Sequence, residues 1–191
     1  VERGELLGLL GEQKNYVRDI EEAYRIAPSR PEVLRAYAWL LQSRGDADST
    51  IEILRKLMAG PERDRTVPLL AYALKERGRQ EDLAEAAELF TSAAAIQGPV
   101  THEIREMAVR SAVGCLQTLG DWEGAHGLLD KTPSDIASDC FRTTLYGLLY
   151  LSQGENEKAN QAGEMALELL RLDDRPVEKR LRPHRRRAHQ H

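Results

Sequence analysis

The amino-acid sequence predicts an all-α protein, an α-solenoid of antiparallel helix pairs, and three observations carry that expectation. Gly11, Gly45, Gly78, Gly120 and Gly154 are spaced 34, 33, 42 and 34 residues apart, and a period near 34 marks stacked helix pairs. Upstream of these glycines one apolar pattern recurs at i, i+3, i+4 and i+7, which is a single face of a helix with 3.6 residues per turn. Hydrophobic residues make up 41% of the 191-residue chain and aromatic residues only 5%. Ala and Leu fill the periodic segments, so the core is expected to be aliphatic.

The stretch from Pro31 to Pro61 shows the unit most plainly. Leu34, Tyr37, Ala38 and Leu41 form the stripe of a first helix, Gly45-Asp46 makes the turn, and Thr50, Ile51, Leu54 and Leu57 form the stripe of a second. Glycine suits the turn because it accepts the left-handed conformation that closes a helix. About thirty residues cannot bury two such stripes alone, so the pair needs neighbours with matching faces. The neighbours are present: Val67, Leu70, Ala71 and Leu74 precede Gly78, then Val109, Ala112, Val113 and Leu116 precede Gly120, and Thr143, Tyr146, Gly147 and Tyr150 precede Gly154. The third slot (Gly4, Ala38, Ala71, Val113, Gly147) stays small, as expected where helix backbones approach closely. Second helices carry Tyr16, Ile20 and Ala23, later Ala159, Gly163 and Ala166, and Pro28 and Pro61 close their units because proline cannot continue a helix.

Five units follow, at about residues 1–28, 31–61, 64–98, 101–133 and 135–172, with a tail over 173–191. The 42-residue interval breaks the period. Taking Ala86, Phe90 and Ala93 as the second stripe of unit three places three extra residues in the turn after Gly78 and the others around Gly98-Pro99-Val100, with Thr101 capping a helix that starts near His102. A last helix runs from about Glu157 to Leu172.

These units resemble tetratricopeptide (TPR) repeats. The resemblance rests on the large-then-small pairs Tyr37-Ala38, Leu70-Ala71, Ala112-Val113 and Tyr146-Gly147, on the Gly-Asp/Glu turns, on Ala125 and Ala159 in second helices, on Trp122 and on Pro28, and it covers about residues 1–172. The stretch EDLAEAAELFTSAAAIQG is similar to the Sel1-like variant, which has a longer turn. No first helix carries tryptophan at its fourth position, and Thr50 stands where the family has alanine. The resemblance implies a right-handed superhelix whose first helices line a concave face. Carried over position by position, that face holds Glu32, Arg35, Trp39 and Gln42, then Arg65, Pro68, Tyr72 and Lys75, then Met107, Arg110, Gly114 and Gln117, then Phe141, Thr144, Leu148 and Leu151. Trp39 and Tyr72 would stand side by side, flanked by Arg35, Arg65, Lys75 and Arg110, with Gln42 and Phe141 completing the site. Such a groove implies a non-enzymatic scaffold that binds a peptide or protein segment. The asparagines with which some family members clamp a C-terminal carboxylate are absent.

Chemistry finds little footing. There is no G-x-S-x-G, no phosphate loop and no dinucleotide fingerprint. His102 with Glu106 offers two metal ligands where a site needs three or four, so the reading is no enzyme, no metal and no cofactor. Carboxylates at Glu81, Asp82, Glu85 and Glu88 fit helix N-termini and solvated faces. Cys115 and Cys140 lack the density of a disulfide framework and read as buried or half-buried hydrophobes, leaning to a reducing, cytoplasmic setting. No apolar run reaches the roughly 18 residues of a membrane span.

Charge is uneven. Residues 175–191 hold seven basic residues and one acid, a net +6, against −10 for the rest, which has 20 basic and 30 acidic residues. Such a tail could dock on nucleic acid or an anionic membrane, but a solvated tail, an intramolecular clamp on the acidic body or non-native sequence account for it more simply, so nucleic acid is the disfavoured partner. The chain starts at Val1 within a helical pattern, which reads as a piece of a larger protein whose effector domain lies upstream; the exposed face of a truncated first unit would favour self-association.

Overall fold

The structure, a computed structural model, describes residues 15–96 and 101–173. Among them every regular element is a helix. The helix α1 is described over 15–26; α2 is Pro31–Ser43, α3 Ala47–Met58, α4 Arg63–Arg77, α5 Gln80–Ala95, α6 His102–Leu119, α7 Trp122–Lys131, α8 Asp139–Ser152 and α9 Asn156–Asp173. Contacts run mainly between consecutive helices, with α6 also touching α8. Helices follow one another in space as they do along the chain. The expected Gly4 and Gly11, the Gly98-Pro99-Val100 break and the basic tail lie outside the described residues.

All four described turn glycines have positive φ, from 73 to 78°. At three of them the closure is the same two-bond pattern. Gly45 N–H donates to Gln42 and Asp46 N–H to Leu41; Gly120 and Asp121 donate to Gln117 and Leu116; Gly154 and Glu155 donate to Leu151 and Tyr150. This satisfies carbonyls that a helix end otherwise orphans. Asp46 and Asp121 then do a second job, since their side chains accept from Ser49 N at 3.1 Å and Gly124 N at 2.8 Å to cap α3 and α7. A Gly-Asp pair therefore ends one helix and starts the next within two residues. Thr101 caps α6 from Ile104 N, as the sequence led one to expect.

Unit three closes differently. Gly78 makes a single bond to Leu74, and Arg79 supplies no side-chain cap. Instead Arg77 grips Asp82 across the turn with two bonds of 2.6 Å and reaches Asp48 of α3 at 2.5 Å. Asp82 is 2% exposed. The guanidinium beside it holds its carboxyl below the usual carboxylate range, and the shared carboxylates raise Arg77 in turn.

The long interval is placed otherwise than the sequence reading had it. Only Gly78 and Arg79 separate α4 from α5, so no extra residues lie in that turn, and the longer turn that a Sel1-like unit implies is not there. Counted from the glycine, Leu83, Ala87 and Phe90 take the places of Thr50, Leu54 and Leu57, and all six are buried. Part of the surplus instead lengthens helices, α5 to 16 residues and α6 to 18, against 12 in α3 and 15 in α4. Lengthening is the cheaper solution because each added residue brings a hydrogen bond and more apolar face.

The core follows the apolar slots and adds one. Leu34, Ala38, Leu41, Val67, Leu70, Ala71, Leu74, Val109, Ala112 and Val113 are buried. Five residues before each turn glycine stands a further buried residue, Leu40, Ala73, Cys115 or Leu149, each at most 2% exposed. First helices are thus covered on two sides, by their own second helix and by the preceding unit. In α8 Leu145 and Leu149 are buried, while Thr143, Tyr146 and Tyr150 are half-buried. Thr50 sits 1% exposed with its hydroxyl donating to Asp46 O at 2.7 Å. Both cysteines are free, Cys115 buried and Cys140 half-buried.

Candidate functional site

The predicted groove residues lie on the first helices α2, α4, α6 and α8, thirteen, ten, six and three residues before each turn glycine. Because the core slots occupy the adjoining arc, this arc is turned to solvent. Among the described residues of these four helices, five large hydrophobics are exposed: Trp39 at 55%, Ile104 at 49%, Met107 at 49%, Leu148 at 51% and Leu151 at 54%. Four of the five fall on the predicted stripe. Burial elsewhere in these helices is thorough, so the exposure is concentrated there.

Two ends of the stripe are built differently from what the sequence suggested. Trp39 and Tyr72 do not pair. The Trp39 ring meets Tyr16 of α1 edge-on at 6.0 Å, while Tyr72 is half-buried and meets Phe90 of the core at 4.8 Å. Tyr72 is therefore held in place by packing and Trp39 is the accessible aromatic. At the other end, Arg110 lies over the Phe141 ring at 5.1 Å and joins α6 to α8. Between them Gly114 has nothing within 4 Å of where a Cβ would stand, leaving a dip in the stripe before Leu148.

The groove is less basic than the residue types implied. Arg35 is ion-paired with Glu62, both partly buried, and the exposed Arg65 lies 3.8 Å from the same carboxylate. Glu62 offsets much of their charge. Lys75 is exposed and close enough to Cys115 to oppose the rise that burial imposes on that thiol. Lys75 and Arg110 are turned outward along with Arg65, and Gln42 is exposed beside Trp39.

Several braces escaped the sequence reading because most of them join side chains of one helix to another helix or its cap. Glu106 accepts from the amide and hydroxyl of Ser138, at 3.0 and 2.8 Å, tying α6 to the cap of α8. His102 lies 3.1 Å from that carboxylate, so the pair that sequence placed at a solvated helix start is a brace. Arg105 donates to Ile96 O, and Arg142 to Leu129 O and Thr132 O, so an arginine of the next helix covers the carbonyl end of α5 and of α7. His126 stacks on Tyr146 and meets Tyr150 at a tilt, with ring centroids 5.6 and 5.1 Å away. Burial first, and the bond to Asp130 second, hold the Tyr146 hydroxyl protonated well above its usual range. Among the described residues no three metal-binding side chains cluster, and no helix is long and apolar enough to cross a membrane.

No protein-family model matches this chain, and no curated protein matches it either.

A second concavity lies on the other helix layer. A trough of about 980 Å³ runs between α5 and α7 over a floor from α6. The sequence reading did not anticipate it; Gly124 and Gly127 of the ten-residue α7 line it.

Proposed function

We propose that the chain is a TPR-type right-handed solenoid that serves as a non-enzymatic scaffold, holding a peptide or protein segment along its first-helix layer. The supporting observation is the alignment of exposed apolar side chains: Trp39, Met107, Leu148 and Leu151 share one stripe in helices that otherwise bury their large residues. Exposed large hydrophobics collected on one face cost solubility and mark interaction surfaces. Arg110 and Lys75 beside them would receive acidic groups of the bound segment, and the repeated Gly-centred units supply a rigid frame. The pre-formed helices mean that little ordering entropy is lost on binding.

The test is direct. Peptides selected from a displayed random library against the full chain are re-measured against Trp39→Ala/Leu148→Ala. The expected result is roughly a tenfold or greater loss of affinity, as for two hot-spot truncations of 1 kcal/mol or more, with the helical signal unchanged because both residues are half exposed. Undiminished binding to the double variant would reject the groove.

A further inference from the structure

We infer that the trough between α5 and α7 is a docking site for an amphipathic helix with a basic flank, contributed by another polypeptide. Its walls are two second helices that run the same way, since each is antiparallel to α6 between them. Ala87, Thr91 and Ala94 face it from α5, Gly124, Gly127 and Leu128 from α7, and Val109 and Leu116 form the floor. The small residues recur three or four apart on both walls, so a third helix could approach closely along the trough and seat a ridge of large side chains. The walls span residues 87–95 and 124–131, about 11–12 Å at 1.5 Å per residue, which accommodates two turns of helix.

The preceding pair of second helices shows what is missing. There Arg55 of α3 reaches Glu85 of α5 at 2.7 Å and joins the two helices, and the concavity nearby, on α3 beside Arg77, is about 430 Å³. Gly124 and Gly127 offer no such side chain; at Gly124 the capping Asp121 carboxylate takes the place a Cβ would fill, whereas at Gly127 nothing lies within 4 Å of it. The larger trough thus stays open at Gly127 through the absence of a side chain.

Charge identifies the occupant's class. The rim carries Glu88, Asp121 and Glu123 against the single cation Lys131, and neither Glu88 nor Glu123 enters an ion pair among the described residues. An apolar floor under an acidic rim favours apolar anchors flanked by Lys or Arg. This site is independent of the stripe on the first helices and does not use its residues.

The experiment uses the full chain and two synthetic helical probes with one leucine stripe at i, i+3, i+4 and i+7, one with lysine and one with glutamate at the remaining positions. Calorimetry is expected to show the lysine probe binding about tenfold tighter or more, in keeping with several rim charges each contributing up to 1 kcal/mol. Gly127→Leu fills the trough and improves helix propensity, so it should abolish lysine-probe binding while the thermal midpoint holds or rises. Glu88→Lys/Glu123→Lys should remove the preference between probes. Equal binding of the two probes by the unaltered chain, or unchanged binding by Gly127→Leu, would overturn the proposal. So would binding lost in Trp39→Ala/Leu148→Ala, or binding seen only after residues 175–191 are deleted, which would make the chain's own tail the occupant.

Discussion

Arg77 shows how much one side chain can carry in a repeat that departs from its siblings. Its two bonds to the buried Asp82 and its third to Asp48 replace the glycine-aspartate closure used elsewhere. Arg77→Ala is expected to destabilise by about 3–5 kcal/mol at pH 7, since it strands a buried carboxylate; urea unfolding measures it. The pH dependence has a definite sign. With Arg77 present, Asp82 titrates below the ordinary aspartate value of 3.8, so its contribution is complete above that value and fades as pH falls through the lower, folded-state value. In Arg77→Ala the strongest influence lowering the carboxyl is gone and burial, which raises it, is opposed only by Arg79, so the deficit should shrink on acidification. At the same scale Trp39 and Tyr72 part company: Trp39→Ala should leave the urea midpoint nearly unchanged, whereas Tyr72→Ala loses its contact with Phe90 and should lower it. Their residue types alike suggested a surface pair; only their partners, Tyr16 and Phe90, separate the exposed ring from the packed one.

At the level of helices, the turn explains the sequence period. Asp121 ends α6 with its amide and begins α7 with its carboxylate, so Asp121→Ala should cost about 1 kcal/mol through the lost cap, while the amide bond to Leu116 survives. Gly147 tests a different idea. Its smallness suggested an obligatory close approach, yet a Cβ there would meet Ala159 O and Ala162 Cβ at 3.6 Å, ordinary contact. Gly147→Ala should therefore stabilise by about 0.5–1 kcal/mol, because alanine loses less entropy within a helix; thermal unfolding reports the sign. Leu149 belongs to the slot that the four-residue pattern passed over. Fully buried at 0%, it should cost about 2–5 kcal/mol on truncation to alanine. The signal for this slot was present, an apolar residue five before every turn glycine, but it lies on the arc facing the previous unit and belongs to a second stripe.

Across the whole molecule, stability in a chain of nearest-neighbour contacts is a sum of local terms and is uneven. The helix α7 has ten residues, two of them glycines, and buries only Ala125 and Leu129, while α5 has sixteen and buries seven. Hydrogen exchange should accordingly find amides of α7 less protected than those of α4 and α5, by a margin that grows as denaturant is added. Uniform protection from α3 to α8 would contradict this ordering. The helix α9, the last among the described residues, exposes Met165, Leu167, Leu170 and Leu172.

Read alone, the sequence determined the helices, the glycines that end them and most of the residues that the core buries, because these follow from local conformation and from a period of 3.6 residues. It also picked out the stripe of first-helix residues on which Trp39, Met107, Leu148 and Leu151 are exposed. The tertiary structure decided where the long interval is absorbed, which groove arginines are already spent on Glu62, and that a trough opens between α5 and α7. Those outcomes depend on which side chains meet when separate helices pack, and periodicity along one helix carries no information about the charge or the empty space on the next.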